Sequence, residues 1–384
     1  EVGLSSELLT ALSAGTNWVD RTSESSIATP HPFNDVVFGN GIFVAVGGEG
    51  NIYTSSDGSS WSPQESGLYG MEGLNGVSYG NGTFVAVGDW GVLLTSSDGA
   101  VWERNDDSGT YDTLNGITFG NGIFMAVGDY GAIYTSSDGD DEWRRETSPS
   151  YDPFNDVVFG NGIFMAVGDY GKIYTSSDGA IWSNMSNPNV SSTLSGVSYG
   201  NGTFVAVGFA GTILSSSDDG ANWANMTDPA LITGSDLNGV SYGSGRFVAV
   251  GYDETILTSP DGAAWTSIHS TSSGGYRKYF GVTYANNTFA AVGYDMNNAQ
   301  GVILTSSNEV SSTDESTRLA LYNLDDDFPE DVTVSVSSSN TAEATVDTAT
   351  MTFTPDNWMN AQTVTVTGVN DNDMDGHKYY QVGL

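Results

Sequence analysis

The stretch Leu114–Trp143 reads LNGITFGNGIFMAVGDYGAIYTSSDGDDEW, and nearly the same letters return at Phe154–Trp182 as FNDVVFGNGIFMAVGDYGKIYTSSDGAIW. The apolar residue that opens this unit occurs seven times, at spacings of 41, 40, 40, 40, 43 and 42 residues. Self-similarity at a period of this length is typical of propellers and solenoids. The seven opening residues are Phe33, Leu74, Leu114, Phe154, Leu194, Leu237 and Tyr279.

Apolar and polar residues alternate inside each unit, and β-branched and aromatic residues dominate, so each unit predicts strands rather than helices. Glycine-rich turns divide a unit into four strands, A to D. In the second unit these turns are GNG between A and B, GDWG between B and C, and SDGA between C and D. A four-stranded unit repeated around a ring is a propeller blade, and closing the ring removes exposed strand edges. The predicted fold class is therefore all-β, with a seven-bladed β-propeller.

The ends of the repeat predict how the ring closes. The seventh unit stops at Ser307 without a strand D, whereas residues 13–20 (SAGTNWVD) resemble the turn and strand D of the other units. We expect residues 13–22 to complete the last blade, so that the propeller spans residues 13–307 and residues 1–12 form a linker. Beyond it, alternating segments such as VTVSV at 332–336 predict a small C-terminal β-sandwich at residues 308–384.

The composition limits the kinds of partner. The chain has 47 acidic and 10 basic side chains, a formal net charge of −37. This charge disfavours nucleic acid and anionic membranes and favours cations, although it also serves simply to keep an exposed protein soluble. There is no cysteine, which excludes disulfides and thiolate metal sites. No apolar run reaches the ~18 residues of a membrane helix, so we expect no membrane insertion.

Two motifs resemble known families. Units that end in SSDG and Trp, as at Ser216–Trp223 (SSDDGANW), resemble the Asp-box repeat of sialidase-like and photosystem II assembly-factor-like propellers. That resemblance covers residues 13–307 and implies a structural turn, whose Asp accepts backbone amides and whose Trp packs between blades. The tail, residues 309–384, resembles the Calx-β-like repeats of bacterial surface proteins. It implies an extracellular or cell-surface location, with calcium and adhesion as frequent associates.

Comparison of the units separates scaffold from working surface. The GNG turns and the boxes hardly vary, which folding alone explains, because Asn-Gly turns need positive φ and the box Asp satisfies turn amides. The B–C turns and D–A loops vary and lie on the opposite face. Their aromatic rings and carboxylates suit a protein or glycan partner, unless each is merely a hairpin turn. The predicted ligand-binding residues are Asp89, Trp90, Asp129, Tyr130, Asp169 and Tyr170 in B–C turns, and Tyr69, Tyr111 and Tyr151 in D–A loops.

The tail contains a candidate calcium loop. The segment Asp371–Gly376 (DNDMDG) matches the opening of such a loop, although Val382 stands where a bidentate Glu is expected. The alternative is a solvated acidic turn. The predicted Ca²⁺ ligands are Asp371, Asp373 and Asp375, with Asp325 and Asp327 from another loop.

Together these features predict a non-enzymatic binding or structural module of a secreted or cell-surface bacterial protein, in an extracellular assembly or adhesin. The sialidases that the repeat resembles use three arginines, and no trio of the seven arginines falls at matching positions. An aspartate repeated on three blades favours a repeated turn over a catalytic pair. The alternatives are a sialidase-like hydrolase acting on glycans and, more weakly, an assembly factor for a larger complex.

Overall fold

The computed structural model describes residues 18–22, 27, 29–68, 70–105, 109–140, 143–228, 235–269 and 276–306, together with the backbone of 2–3, 332–335, 344–346, 350–353, 366–368 and 380–381. The chain divides into two compact units. One is Ala14–Ser307, and the other consists of Glu1–Ser13 and Asn308–Leu384.

The unit Ala14–Ser307 contains seven antiparallel sheets of four strands each, which confirms the predicted seven-bladed β-propeller. Strand A of the successive blades is Phe33–Gly39, Leu74–Gly80, Leu114–Gly120, Phe154–Gly160, Leu194–Gly200, Leu237–Gly243 and Arg277–Ala285. Strand B is Ile42–Gly47, Thr83–Gly88, Ile123–Gly128, Ile163–Gly168, Thr203–Gly208, Arg246–Gly251 and Thr288–Asp295.

Strands C and D are shorter and lie farther from the propeller axis. Strand C is Ile52–Ser55, Leu93–Ser96, Ile133–Ser136, Ile173–Ser176, Ile213–Ser216, Ile256–Ser259 and Gln300–Ser306. Strand D of blades 1 to 6 is Ser62–Gln64, Glu103–Arg104, Arg144–Arg145, Ser183–Asn184, Ala224–Asn225 and Thr266–His269. Short 3-10 turns join B to C at Gly48–Gly50, Asp89–Gly91, Asp129–Gly131, Asp169–Gly171 and Phe209–Gly211.

The hydrophobic cores lie between neighbouring blades, because both faces of an inner strand are covered. In strand B of blade 2, every residue after Thr83 is buried. Val44 and Val46 of blade 1 pack with Phe84 and Trp102 of blade 2 in one such cluster. Truncating a fully buried aromatic side chain such as Phe84 to Ala typically costs about 3–5 kcal/mol. Blade packing therefore holds the ring together without disulfides.

The N-terminal strand closes the ring, as predicted. Trp18–Asp20 pairs antiparallel with strand C of blade 7, with Trp18 opposite Ser306 and Asp20 opposite Leu304. Arg277 reinforces this pairing, because its Nη1 lies 2.8 Å from Asp20 Oδ2 and its Nε lies 3.1 Å from Asp295 Oδ2. One arginine thus joins the closing strand to strands A and B of the same blade.

The invariant turns form a structural face. In the first box, Asp57 Oδ1 accepts the amide hydrogens of Ser59 and Ser60 at 2.8 Å, and Trp61 Nε1 donates to Gly58 O at 3.0 Å. Amide hydrogen bonds, the strongest from Val101, hold the pKa of the equivalent Asp98 below its usual value. Asn40 of a GNG turn donates to Ser97 O beside the box of the next blade. The GNG turns and boxes therefore share one face and have a structural role, as the comparison of units predicted.

In the compact unit formed by Glu1–Ser13 and Asn308–Leu384, Val332–Ser335 pairs antiparallel with Thr350–Phe353, and Ala344–Val346 pairs with Val366–Gly368. Val2–Gly3, inside the segment expected to be a linker, pairs in parallel with Tyr380–Gln381. The described residues of the chain include no helix that is long and apolar enough to cross a membrane.

Candidate functional site

The B–C turns of blades 2, 3 and 4 place an aromatic residue in left-handed backbone geometry. Trp90, Tyr130 and Tyr170 have φ values of 52°, 55° and 57°. Residues with a Cβ atom disfavour this region by roughly 1–2 kcal/mol, and for bulky residues it is a genuine outlier. Glu49 and Ala210 hold the same position in blades 1 and 5, so the turn itself requires no aromatic ring. The left-handed turn is therefore a feature of the scaffold in blades 1 to 5, and blades 2, 3 and 4 use it to carry an aromatic ring.

These three rings are exposed, and two tyrosines from D–A loops accompany them. Trp90, Tyr130 and Tyr170 are 61%, 71% and 66% exposed, and Tyr111 and Tyr151 are 84% and 91% exposed. We call these five residues the turn face. Because these rings face solvent, they do not serve the hydrophobic core as a buried aromatic residue does. They are therefore available to contact a partner.

Backbone contacts hold the two kinds of loop together. Thr110 Oγ1, next to Tyr111, donates to Gly91 O, next to Trp90, at 2.8 Å. In the next blade, a Cβ atom added to Gly131 would collide with Ser150 O, which precedes Tyr151. These two D–A loops therefore run against the B–C turns of the preceding blades. The half-exposed Phe209 lies in the B–C turn of blade 5, at the position that Asp169 holds in blade 4.

The aspartates of these turns accept hydrogen bonds from neighbouring residues of the propeller. Asp89 accepts from Asn75 Nδ2 and from the amide of Gly73, each at 3.1 Å. The equivalent carboxylates of Asp129 and Asp169 accept from asparagines, as described below. These acids thus have hydrogen-bond partners inside the propeller, and their role in ligand binding stays a prediction. The rings are the more exposed part of each turn.

The other predicted site residues fall outside the described part of the chain. These are Tyr69 in a D–A loop and the five candidate calcium ligands Asp325, Asp327, Asp371, Asp373 and Asp375. Within the described residues, no group of three or more His, Asp or Glu side chains is placed to hold a metal ion.

A polar cavity of about 110 Å³ occupies the propeller axis near the start of strands A. Each strand A has a β-bulge just after the apolar residue that opens its unit, for example between Leu114 and Gly116 and between Tyr279 and Gly281. The bulged residue lies in the cavity lining, consistent with the tendency of bulges to re-aim side chains. The bulged residues that line the cavity are Asn34, Asn75, Asn115, Asn155, Ser195, Asn238 and Phe280.

Hydrogen bonds between blades fix the orientation of the asparagine amides. Asn115 Nδ2 donates to Asp129 Oδ1 at 3.1 Å and to Phe154 O of the next blade at 2.9 Å. Asn155 Nδ2 donates in the same way to Asp169 Oδ1 at 3.2 Å and to Leu194 O at 2.9 Å. The B–C aspartates therefore orient the amides that line the axial cavity.

Two aspartates in the cavity wall were missed by the sequence prediction. Asp35 Oδ2 accepts the amide of Val77 at 2.9 Å, and Asp156 Oδ2 accepts that of Val197 at 2.8 Å. Burial raises the pKa of Asp35 to about 7, against the effect of its amide hydrogen bonds. Burial also raises the pKa of Asp156 to about 7, with a further contribution from the charge of Asp35. The signal was the replacement of LNG by FND at the start of units 1 and 4.

The fold and this surface define a seven-bladed β-propeller with an aromatic turn face and a polar axial cavity. A family profile described as the DUF6242 beta propeller domain matches residues 101–232. A comparison with curated proteins found no match.

Solved structures with similar folds include two of YCF48. YCF48 bound to D1 peptide aligns with a TM-score of 0.61 and 17% identity, covering 78% of this chain and 97% of that chain. YCF48 from Cyanidioschyzon merolae aligns with a TM-score of 0.59 and 17% identity, covering 77% and 99%. The RRP9 WD40 repeats align at 0.60 with 7% identity, covering 76% and 97%. These similarities show the fold.

Proposed function

We propose that this chain is a non-enzymatic binding module and that its turn face holds an exposed polypeptide segment of a partner protein. The observation that carries this proposal is the row of Trp90, Tyr130 and Tyr170, exposed at strained positions in three adjacent blades. The propeller of YCF48, which has a similar fold, was solved with a D1 peptide bound. That structure supports a peptide as the kind of ligand for a propeller of this type.

Aromatic side chains suit such a surface. Trp and Tyr provide a large contact area at low conformational entropy cost, and they are enriched among the residues that dominate binding energy. The row spans three neighbouring blades, which suits an extended segment better than a single sugar ring. A glycan partner remains an outcome of the test below.

Location and calcium binding are part of the same proposal. A secreted or cell-surface module is supported by the net charge of −37 and by the resemblance of residues 309–384 to Calx-β-like repeats. Calcium binding by Asp371, Asp373 and Asp375 is supported by the loop motif alone. Calorimetric titration of the full chain with CaCl₂ tests it: heats equal to dilution heats, with an unchanged melting temperature, exclude this site.

The hydrolase alternative has one structural argument in its favour, the pair of axial carboxylates on Asp35 and Asp156. Opposing it, the residues that line the axial cavity include no arginine, so a substrate carboxylate would lack the expected clamp. Turnover on a panel of aryl glycosides, abolished by D35N/D156N, would replace the binding proposal with the enzymatic one.

The binding proposal is tested by selecting peptides from a displayed random library on the immobilised full chain. Selected peptides are then titrated against W90A/Y130A/Y170A and a control variant, V101A/I181A. Val101 and Ile181 are exposed large apolar residues beside the boxes, on the opposite face. We expect the triple variant to lose affinity at least ~30-fold, since one dominant contact is worth about 2 kcal/mol. Equal affinities for both variants would contradict the proposal, and selection of glycans but not peptides on a parallel array would redirect it.

A further inference from the structure

The axial cavity offers hydrogen-bond acceptors and few free donors. Asn75 Nδ2 carries two hydrogens, and these go to Asp89 Oδ1 and Leu114 O, both at 3.1 Å. Asn115 and Asn155 use theirs in the same way, as described above. An amide whose two hydrogens are both donated has only its carbonyl oxygen left for a ligand. The asparagine side chains arranged around the cavity therefore present their Oδ1 atoms to whatever enters it.

The two aspartates extend this set of acceptors. The oxygens of Asp35 accept the amides of Val36 and Val77, one each, and those of Asp156 accept the amides of Val157 and Val197. A carboxylate oxygen can accept more than one hydrogen bond, so each oxygen keeps capacity for a ligand. Among the residues that line the cavity, these two are the titratable ones, and none is basic.

Folding does not require an aspartate at this position. The remaining five units carry glycine there: Gly76, Gly116, Gly196, Gly239 and Gly281. Burial of a carboxylate disfavours its charged form, which is why the pKa values of Asp35 and Asp156 rise to about 7. A carboxylate whose ionised form is disfavoured by burial, kept at two of seven equivalent positions around a cavity, is typical of a functional site.

We propose that the axial cavity binds the ammonium group of a lysine side chain supplied by the partner polypeptide. The cation donates three hydrogen bonds, and the cavity supplies amide and carboxylate oxygens to accept them. The cavity lies near the start of strands A, where the D–A loops and B–C turns meet, so a segment on the turn face could insert one side chain. A divalent metal ion is the competing occupant, because amide oxygens also ligate hard cations, but the lining supplies only two carboxylates, fewer than a typical calcium loop does. This inference rests on the proposed function, since it names the partner residue that enters the site.

The test uses the full chain and the probe N-acetyl-lysine N-methylamide, with the norleucine analogue, which keeps the four carbons but lacks the terminal ammonium group, as control. Binding is measured by ligand-observed NMR titration at pH 6, 7 and 8. We expect the lysine probe to bind at least ~10-fold more tightly than the norleucine analogue. Its affinity should rise between pH 6 and pH 8, because Asp35 and Asp156 ionise while the amine stays protonated. Equal binding of the two probes would overturn the inference.

Variants locate the site. We expect D35G/D156G, which introduces the glycine of the other five units, to weaken the lysine probe at least ~10-fold and to remove its pH dependence. E65Q/E103Q removes two negative charges from exposed positions and should leave binding unchanged. If D35G/D156G loses its native circular dichroism spectrum, D35N/D156N provides the same comparison with side-chain size preserved. Unchanged affinity in the folded aspartate variant would overturn the inference.

The same probe separates this inference from the proposed function. It is too short to contact the turn face from within the cavity, so W90A/Y130A/Y170A should bind it normally. If peptides depend on the aromatic rings but the lysine probe does not bind, only the axial site is wrong. If the probe binds but no peptide depends on the rings, only the turn face is wrong. An arginine probe shows whether a guanidinium is accepted in place of the ammonium.

Discussion

Replacing the three aromatic residues of the B–C turns with asparagine should leave the propeller as stable as before, or more stable. The variant is W90N/Y130N/Y170N. Asparagine adopts left-handed backbone far more readily than a bulky residue does, because its short polar side chain can hydrogen-bond locally. The substitution therefore relieves strain at Trp90, Tyr130 and Tyr170 while removing the rings proposed to bind the partner.

The expected magnitude follows from the strain and the burial of each ring. Left-handed geometry costs roughly 1–2 kcal/mol per residue, of which asparagine recovers about 1 kcal/mol. The rings are 61%, 71% and 66% exposed. Their buried third contributes only about 0.5–1 kcal/mol each, since full burial of a large apolar side chain is worth about 1.5–3 kcal/mol. The net change is about 0 to +0.5 kcal/mol per site, a rise in melting temperature of up to about 2–3 °C for the triple variant, since a propeller of this size has an unfolding entropy of about 0.6 kcal/mol/K.

The assay is differential scanning calorimetry of the full chain, with A210N as the matched control. Ala210 has φ of 54° at the same turn position in blade 5 but carries no ring. We expect A210N to gain about 1 kcal/mol, more than each aromatic site because no ring burial is lost, and to keep full affinity for selected peptides. A fall in melting temperature of more than about 5 °C in the triple variant would show that the rings stabilise the fold, which would refute the argument from strain.

Three further predictions concern closure, the axial carboxylates and the boxes. Deleting residues 1–22 removes the strand paired with Gln300–Ser306 and one of the two carboxylates that contact Arg277, so the unfolding free energy should fall by about 2–4 kcal/mol in urea titrations, since each lost hydrogen bond is worth about 0.5–1.5 kcal/mol; an unchanged midpoint would contradict ring closure. Asp35 and Asp156 have folded-state pKa values of about 7, above the ordinary 3.8, so the folded state binds more protons and stability falls as pH rises from about 4 to 7. When it is ionised, each aspartate lowers the unfolding free energy by up to ~4 kcal/mol. Urea titrations at pH 4.5 and 8 should therefore show that the stability of D35G/D156G, relative to the wild type, is higher at pH 8; an equal stability difference at both pH values would contradict this. D98A loses the hydrogen bonds from the amides of Ala100 and Val101 and should lower the stability of the propeller by ~1–2 kcal/mol in thermal melts. Unchanged stability would show that the box aspartate does not stabilise the blade.

The fold was predictable because its signals are local and repeated. Alternation in strands such as Thr83–Gly88 and glycine at fixed positions indicate strands and turns one unit at a time. Repetition then leaves few architectures that bury every strand. Gly120 illustrates the consistency: a Cβ atom there would collide with the Phe159 ring of the next blade. The fragment around Trp18 could be assigned to blade 7 because that blade alone lacked its strand D.

The site was predictable only in part, because it depends on register between distant residues. In the sequence, the aspartate and the aromatic residue of a B–C turn, such as Asp89 and Tyr130, both looked like ligand-binding residues. Their roles separate only when the bulge brings Asn75 to Asp89, 14 residues away, and when the turn at Tyr130 is known to be left-handed. Asp35 was visible as a departure from LNG, but its raised pKa arises from desolvation in the folded propeller, which no local pattern encodes.

The most direct test of the central claim is hydroxyl-radical footprinting of the full chain with and without a saturating selected peptide. If the turn face binds the partner, Trp90, Tyr111, Tyr130, Tyr151 and Tyr170 lose reactivity several-fold on binding. Exposed Val101 and Ile181 on the opposite face keep theirs. Protection of Val101 and Ile181 with unchanged oxidation of the five aromatic residues would place the binding surface on the propeller face that carries the boxes, and this result would contradict the account.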